Sequence, residues 1–177
     1  MGLLVIWYFR TSKVFEPDFE MKITLFALGK TDDSSLQKLI DGYQKRLSHY
    51  ISFNFEVIPD IKNSKNLSEM QQKQLEGEEL LKRLQPADML YLLDEKGTLH
   101  SSEGFASFLQ KKMNSGIKNL VFAIGGPYGF SDAVYTKAAG KLSLSKMTFS
   151  HQMVRLFFVE QLYRGFSILR NEPYHHR

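Results

Sequence analysis

Short apolar runs that stop at glycine or proline alternate along most of this chain with segments of helical period, and that alternation narrows its possible folds more than any other feature. Residues 22–28 (KITLFAL) form an apolar run ended by Gly29, as in a strand buried on both faces. Asp32, Asp33 and Ser34 are N-cap candidates for a helix with Leu36, Leu39, Ile40, Tyr43 and Leu47 along one stripe. Residues 51–58 alternate Ile51, Phe53, Phe55 and Val57 with polar neighbours, a second strand stopped by Pro59. Residues 63–84 are polar with a thin apolar line and predict an exposed helix, weakened locally by Gly77. DMLYLLDEKG then predicts a strand followed by a turn, SSEGFASFLQKKMNSG a helix capped by Ser101 or Ser102, and NLVFAIGGPYGF a strand closing in a glycine-rich turn. A short helix near residues 132–139, a strand-like KLSLSKMTF and a long helix over residues 151–169 complete the pattern, followed by the tail NEPYHHR. Strands alternating with helices predict an α/β domain with a mainly parallel sheet flanked by helices. With no internal repeat and no linker, residues 21–177 are expected to form one domain.

The first 20 residues stand apart. Their apolar run, residues 3–9, has no basic segment before it and no small-residue cleavage site after it. It is too short to span a membrane and makes a poor signal peptide. The preferred expectation is an upstream start, with the functional protein beginning at Met21; an atypical N-terminal strand or anchor is the other reading.

Composition sets outer limits. With 43% hydrophobic and 24% charged residues the 177-residue chain is globular rather than disordered. The absence of cysteine excludes disulfides, thiolate nucleophiles and Cys-based metal sites. The formal charge of +4 is unevenly placed. Basic and acidic side chains balance over residues 21–136, whereas residues 137–177 carry seven basic groups against Glu160 and Glu172, together with His151, His175 and His176. A basic segment of this kind suggests an anionic partner, nucleic acid first, although a solvated basic helix has the same composition.

Ligands of open α/β sheets bind beyond the carboxyl ends of the strands, so three segments are candidates: Leu92 to Glu95, the GGPYG turn at 125–129, and Leu144 to Phe149. GGPYG allows close backbone approach but matches neither a P-loop nor a dinucleotide fingerprint, and a plain structural turn fits it equally. LSLSKMTF combines apolar side chains with small hydroxyls and is able to wrap an adenine-like ring, or to serve as an ordinary core strand. The last helix is apolar around much of its circumference, which predicts burial within the domain or, preferred here, a homodimer interface. Arg155 and Arg164 on that helix either pair with Glu160 or project into a site. Tyr174, His175 and His176 are able to stack on bases or move protons, against the plain alternative of a frayed terminus. His49 and His100 are isolated surface residues, adjacent histidines lack a third metal ligand at suitable spacing, and no nucleophile signature occurs.

Taken together, MKITLFALGK, LLDEKG, VFAIGGPYGF, LSLSKMTFSHQMVRLFFVEQLYRGFSIL and the terminal NEPYHH resemble the small RlmH group of SPOUT methyltransferases, over residues 21–177. The resemblance implies a SPOUT fold with a C-terminal trefoil knot, a homodimer, and S-adenosylmethionine as methyl donor. It implies methylation of N3 of a pseudouridine in 23S ribosomal RNA, on the large subunit or the assembled 70S ribosome in the cytoplasm, with no metal and no membrane. Carried over by motif, Leu93, Gly125, Leu144, Ser145, Lys146, Met147, Thr148 and Phe149 correspond to cofactor-binding positions. For the N3 proton the candidates are His151, Arg155, Tyr174, His175 and His176, with one subunit's tail completing the other's site. Two rivals stand beside this reading: a non-catalytic RNA- or ribosome-binding α/β module, and a knotted methyltransferase acting on transfer RNA.

Overall fold

Every strand and helix anticipated from the alternation is present in the computed structural model, which describes residues 21–62 and 64–175. The expectations for residues 1–20 and for His176 fall outside these residues. Five strands, β1 (Lys22–Leu28), β2 (Ser52–Ile58), β3 (Met89–Leu99), β4 (Asn119–Ile124) and β5 (Gly140–Ser143), pair in the order β2-β1-β4-β3-β5, all parallel. Between them run α1 (Ser34–Leu47), α2 (Glu69–Leu81), α3 (Ser102–Asn114) and α4 (Asp132–Lys137), and α5 (His151–Leu169) follows β5.

Side chains of α1, α3 and α5 share one core with one face of the sheet, and those of α2 and α4 share the other core with the opposite face. The two connections that step across the sheet in one direction, β1 to β2 and β3 to β4, carry α1 and α3. The two that step the other way carry α2 and α4. Helices must segregate like this when all crossovers share one hand. β1 and β4 are buried along nearly their whole length, as expected of central strands covered on both sides. Phe122 of β4 meets Phe158 of α5 at a ring separation of 4.7 Å, and both are fully buried. Each such aromatic stabilises the fold by roughly 2–3 kcal/mol through burial.

Local chemistry sets the helix starts. Asp33 caps α1 by accepting from Ser35 N at 2.6 Å and Leu36 N at 3.2 Å. Ser68 and Gln71 form a reciprocal capping box on α2, and Ser101 and Ser150 cap α3 and α5. Gly77 does not interrupt α2. A Cβ there would lie 2.2 Å from Ser131 Oγ, so its lack of side chain brings α2 against the start of α4.

Three expectations change. Leu39 is 55% exposed, because the buried stripe of α1 consists of Leu36, Ile40 and Leu47. LLDEKG is not a strand end. β3 runs on to Leu99 through a bulge, pairing Tyr91, Leu92 and Leu93 with residues 140–142 and then Thr98 and Leu99 with Leu142 and Ser143. Gly97 makes that possible, since a Cβ there would sit 2.5 Å from the Leu142 carbonyl carbon. KLSLSKMTF is a strand only as far as Ser143; residues 144–150 have no regular structure.

Candidate active site

The irregular segments gather at one place. The bulge midway along β3 and the carboxyl ends of β4 and β5 supply Leu93, Ile124 and Leu142 to a cleft of about 620 Å³. Its walls are the β3 bulge, the turn after β4 and the loop between β5 and α5. In the turn after β4, Gly129 N donates to Gly126 O at 3.1 Å across Pro127 and Tyr128, and Gly129 takes φ +80°. The loop after β5 is held by its own serines: Ser143 Oγ donates to Ser145 O at 2.8 Å, and Met147 N donates to Ser145 Oγ at 2.9 Å. Asp94, on the bulge, accepts from Lys96 N at 2.8 Å and from the Tyr135 hydroxyl at 2.7 Å. Burial first, and then the Asp94 hydrogen bond, push the Tyr135 phenol up to about 12.

Of the expected cofactor positions, Leu93, Gly125, Leu144, Ser145, Met147, Thr148 and Phe149 line this cleft, whereas Lys146 is exposed and outside the lining. His151, at the start of α5, lines it as well. Arg155 does not. It is fully buried, with Nε donating to His151 O (3.2 Å), Nη1 to Thr31 Oγ1 (3.0 Å) and Nη2 to Leu28 O (2.7 Å). Gln152 reinforces the same joint through Asp32 and the Lys30 carbonyl. Arg155 therefore clamps the end of β1 to the first turns of α5 instead of projecting into the cleft.

Tyr174 and His175 are not in the cleft lining: the chain turns back after α5, and Tyr174 meets Glu160 midway along the helix, about 13 Å along its axis from His151. Tyr174 donates to Glu160 Oε1 at 3.0 Å and contacts the Tyr43 hydroxyl at 3.2 Å. Arg164 donates to the same Glu160 oxygen and stacks over the Tyr174 ring. His175 is half-buried, with Nδ1 unpartnered. The tail is thus docked rather than frayed.

The basic excess of the last segment shrinks on inspection: Arg155 is buried, Arg164 is paired with Glu160, and Arg170 lies over the Tyr50 ring. Asp94 and Tyr128, from the candidate segments 92–95 and 125–129, line the cleft together with Tyr135, which the sequence did not single out. The segment containing Asp94 was legible as a strand-end candidate, but nothing in the sequence joins it to Tyr135, 41 residues later.

The lining defines what fits. It holds apolar side chains, small hydroxyls and two carboxylates, Asp94 and Glu95, with Lys96 and His151 as its basic groups. That set, with no cluster of cations, suits an uncharged or cationic adenosine derivative better than a polyphosphate. A parallel sheet of five strands with a cleft of this character is that of an α/β ligand-binding domain. Residues 21–175 match the family described as "Predicted SPOUT methyltransferase". The chain belongs to the SPOUT methyltransferases.

Relatives sharpen the placement. A protein of Flavobacterium johnsoniae is 69% identical over 157 residues, covering 89% of this chain and all of the relative. Those of Christiangramia forsetii (61%; 89% of this chain, all of the relative) and Porphyromonas gingivalis (56%; 88% and 99%) are similar over nearly the same span. All three are named ribosomal RNA large subunit methyltransferase H, and it is within their family that this chain falls.

Proposed function

We propose that this protein transfers a methyl group from S-adenosylmethionine to N3 of a pseudouridine in 23S ribosomal RNA, acting on the large subunit or assembled 70S ribosome in the cytoplasm. The observation that carries the reading is the cleft itself: part apolar, carboxylate-bearing and poor in cations, where β4 and β5 end beside the bulge of β3. The names of its relatives supply the RNA class.

Leu93, Gly125, Leu144, Ser145, Met147, Thr148 and Phe149 would hold the methyl donor, with Lys146 at the rim. When bound, that donor supplies an activated methyl on a sulfonium, so the protein's task is orientation and handling of the N3 proton. Asp94 and Glu95 place negative charge where a cationic ligand benefits from it. His151, on the cleft wall, is the proton-handling candidate supplied from within the same chain. Arg155 acts as a positioning residue, fixing His151 through its carbonyl.

Two features support a homodimer. Tyr174 and His175 are outside the lining of their own cleft, with Tyr174 held by Glu160 midway along α5, so a part in the chemistry would fall to a partner's site. An apolar patch with Met153, Phe157 and Phe149, the last two 4.8 Å apart, is exposed beside the cleft, which suits a second copy. The trefoil knot is the family's fold; the return of the chain from edge strand β5 to α5, packed against α1 and α3, supports it. No helix among the described residues is long and apolar enough to cross a membrane.

The deciding experiment is mass spectrometry of ribosomal RNA from a deletion strain, where one methyl on a pseudouridine should be missing and return on complementation. Calorimetry should show S-adenosylmethionine binding. No heat at millimolar donor would favour a non-catalytic RNA-binding module, and a methyl missing from transfer RNA would move the target.

A further inference from the structure

The cleft has a neighbour. A second cavity of about 200 Å³ lies across Gly126, Pro127 and His151, which line both spaces. It sits at the ends of β1 and β4, where the chain leaves toward opposite faces of the sheet, a position that favours ligands. Its other walls are mostly polar, among them Lys30, Asp32, Asp60, Gln72 and Glu76.

Glu76 is the anomaly there. It is the one charged residue among the buried positions of α2, beside Gly77 and Leu80, and is only 6% exposed. Oε1 accepts from Gln72 Nε2 at 2.7 Å, while Oε2 is buried without a partner. A Cβ on Gly126 would come within 2.5 Å of Oε2, so the carboxyl rests against the very turn that the two cavities share. Burial, and more weakly the charge of Asp60, raise this carboxyl above its ordinary range. Native proteins seldom leave a buried carboxylate oxygen unpaired, and an orphaned acceptor marks a place for a donor.

Which donor follows from the substrate, and the step rests on the reading of the target as pseudouridine. In pseudouridine the sugar is attached through carbon, so the ring keeps an N1–H on the edge that also carries N3, one ring atom away. With the sugar and N3 superimposed, uridine has a C–H at that position. We propose that the second cavity takes the ring of the target nucleoside, and that Glu76 Oε2 accepts the pseudouridine N1–H. Glu76 is then the residue that distinguishes pseudouridine from uridine. A site built around a polar partner rejects the analogue that lacks it far more strongly than an apolar pocket does.

The test is Glu76→Gln in the full chain. Gln72 Nε2 keeps the side-chain oxygen at 76, which turns the new amide NH₂ toward the cavity and sets donor against donor. kcat/KM is measured on 70S ribosomes carrying pseudouridine at the target and on ribosomes from a strain lacking the pseudouridine synthase, which carry uridine there. The pseudouridine-to-uridine ratio should fall roughly ten- to a hundredfold, the range expected for one hydrogen bond to a charged group, with S-adenosylmethionine affinity retained. An unchanged ratio overturns the proposal, including when both activities fall together, since that is the signature of a structural role. Should the variant not fold, Gln72→Leu frees the carboxyl and should lower the ratio less but in the same direction; an unchanged ratio there overturns it equally. Wild-type enzyme that methylates neither ribosome, or both alike, overturns the substrate reading and this proposal with it.

Discussion

The two arginines of α5 are nine residues apart and do opposite work. Arg164, at the tail end, is partly exposed and paired with Glu160 at 2.6 Å, beside the Tyr174 ring. Burial alone would lower its guanidinium, but the Glu160 contact outweighs that and raises it. Arg155, at the cleft end, is fully buried, and its hydrogen bonds run to two carbonyls and a hydroxyl. Burial lowers its guanidinium, with only partial compensation from the charges of Asp32 and Asp60. One end of the helix is fastened by a side-chain network near solvent, and the other by a buried cation holding backbone. The cleft wall is thus braced from behind by a residue that never enters it, while Tyr174 is docked on Glu160 and Arg164.

Removing the tail should have the largest effect. Deleting residues 174–177 should abolish methylation while leaving S-adenosylmethionine binding largely intact by calorimetry; loss of both together would place the tail's role in folding instead. Separating the arginines comes next. Arg155→Met strands buried acceptors and should cost about 3 kcal/mol, seen as a fall in Tm of roughly 6–12 °C for a chain of this size. Arg164→Met breaks a partly exposed pair and should cost about 1 kcal/mol or less. Equal losses in thermal melts would dissolve the contrast between the two ends.

The smallest effect concerns Tyr135 on the cleft wall. Its phenol is raised to about 12, so the folded state favours the neutral form. That contribution is fully present below the unfolded phenol's value near 10 and is lost as pH rises from there through about 12. Denaturant midpoints of wild type and Tyr135→Phe should differ at about pH 9 and converge toward about pH 11.5. A difference that persists would show that the Asp94 bond is not what holds the proton.

Much of this was legible in the sequence because it is local. Apolar runs of strand length announced β1 and β4, and the serines before FASFL announced the start of α3. The cleft segments were legible for a different reason: a parallel sheet puts ligands at strand ends, so motifs placed there became candidates before any contact was known. The bulge of β3 was not, since LLDEKG has the composition of a turn, and only the β5 backbone passing Gly97 makes it continue as a strand. Nor was the place of Arg155. Helical periodicity put a charge on an apolar face, and only the end of β1, more than 120 residues earlier in the chain, provides the carbonyl that accepts it.

The sequence by itself determined the order and type of the elements, the parallel sheet and, through the joint resemblance of several motifs, the family. Capping, periodicity and apolar run length act over a few residues, so they survive in one dimension. Tertiary structure alone decided which buried polar groups are satisfied. It buried Arg155 with a partner for each guanidinium nitrogen, and it buried Glu76 with one oxygen lacking a donor. Such matching depends on groups distant in the chain meeting within hydrogen-bond distance, and no local pattern encodes it.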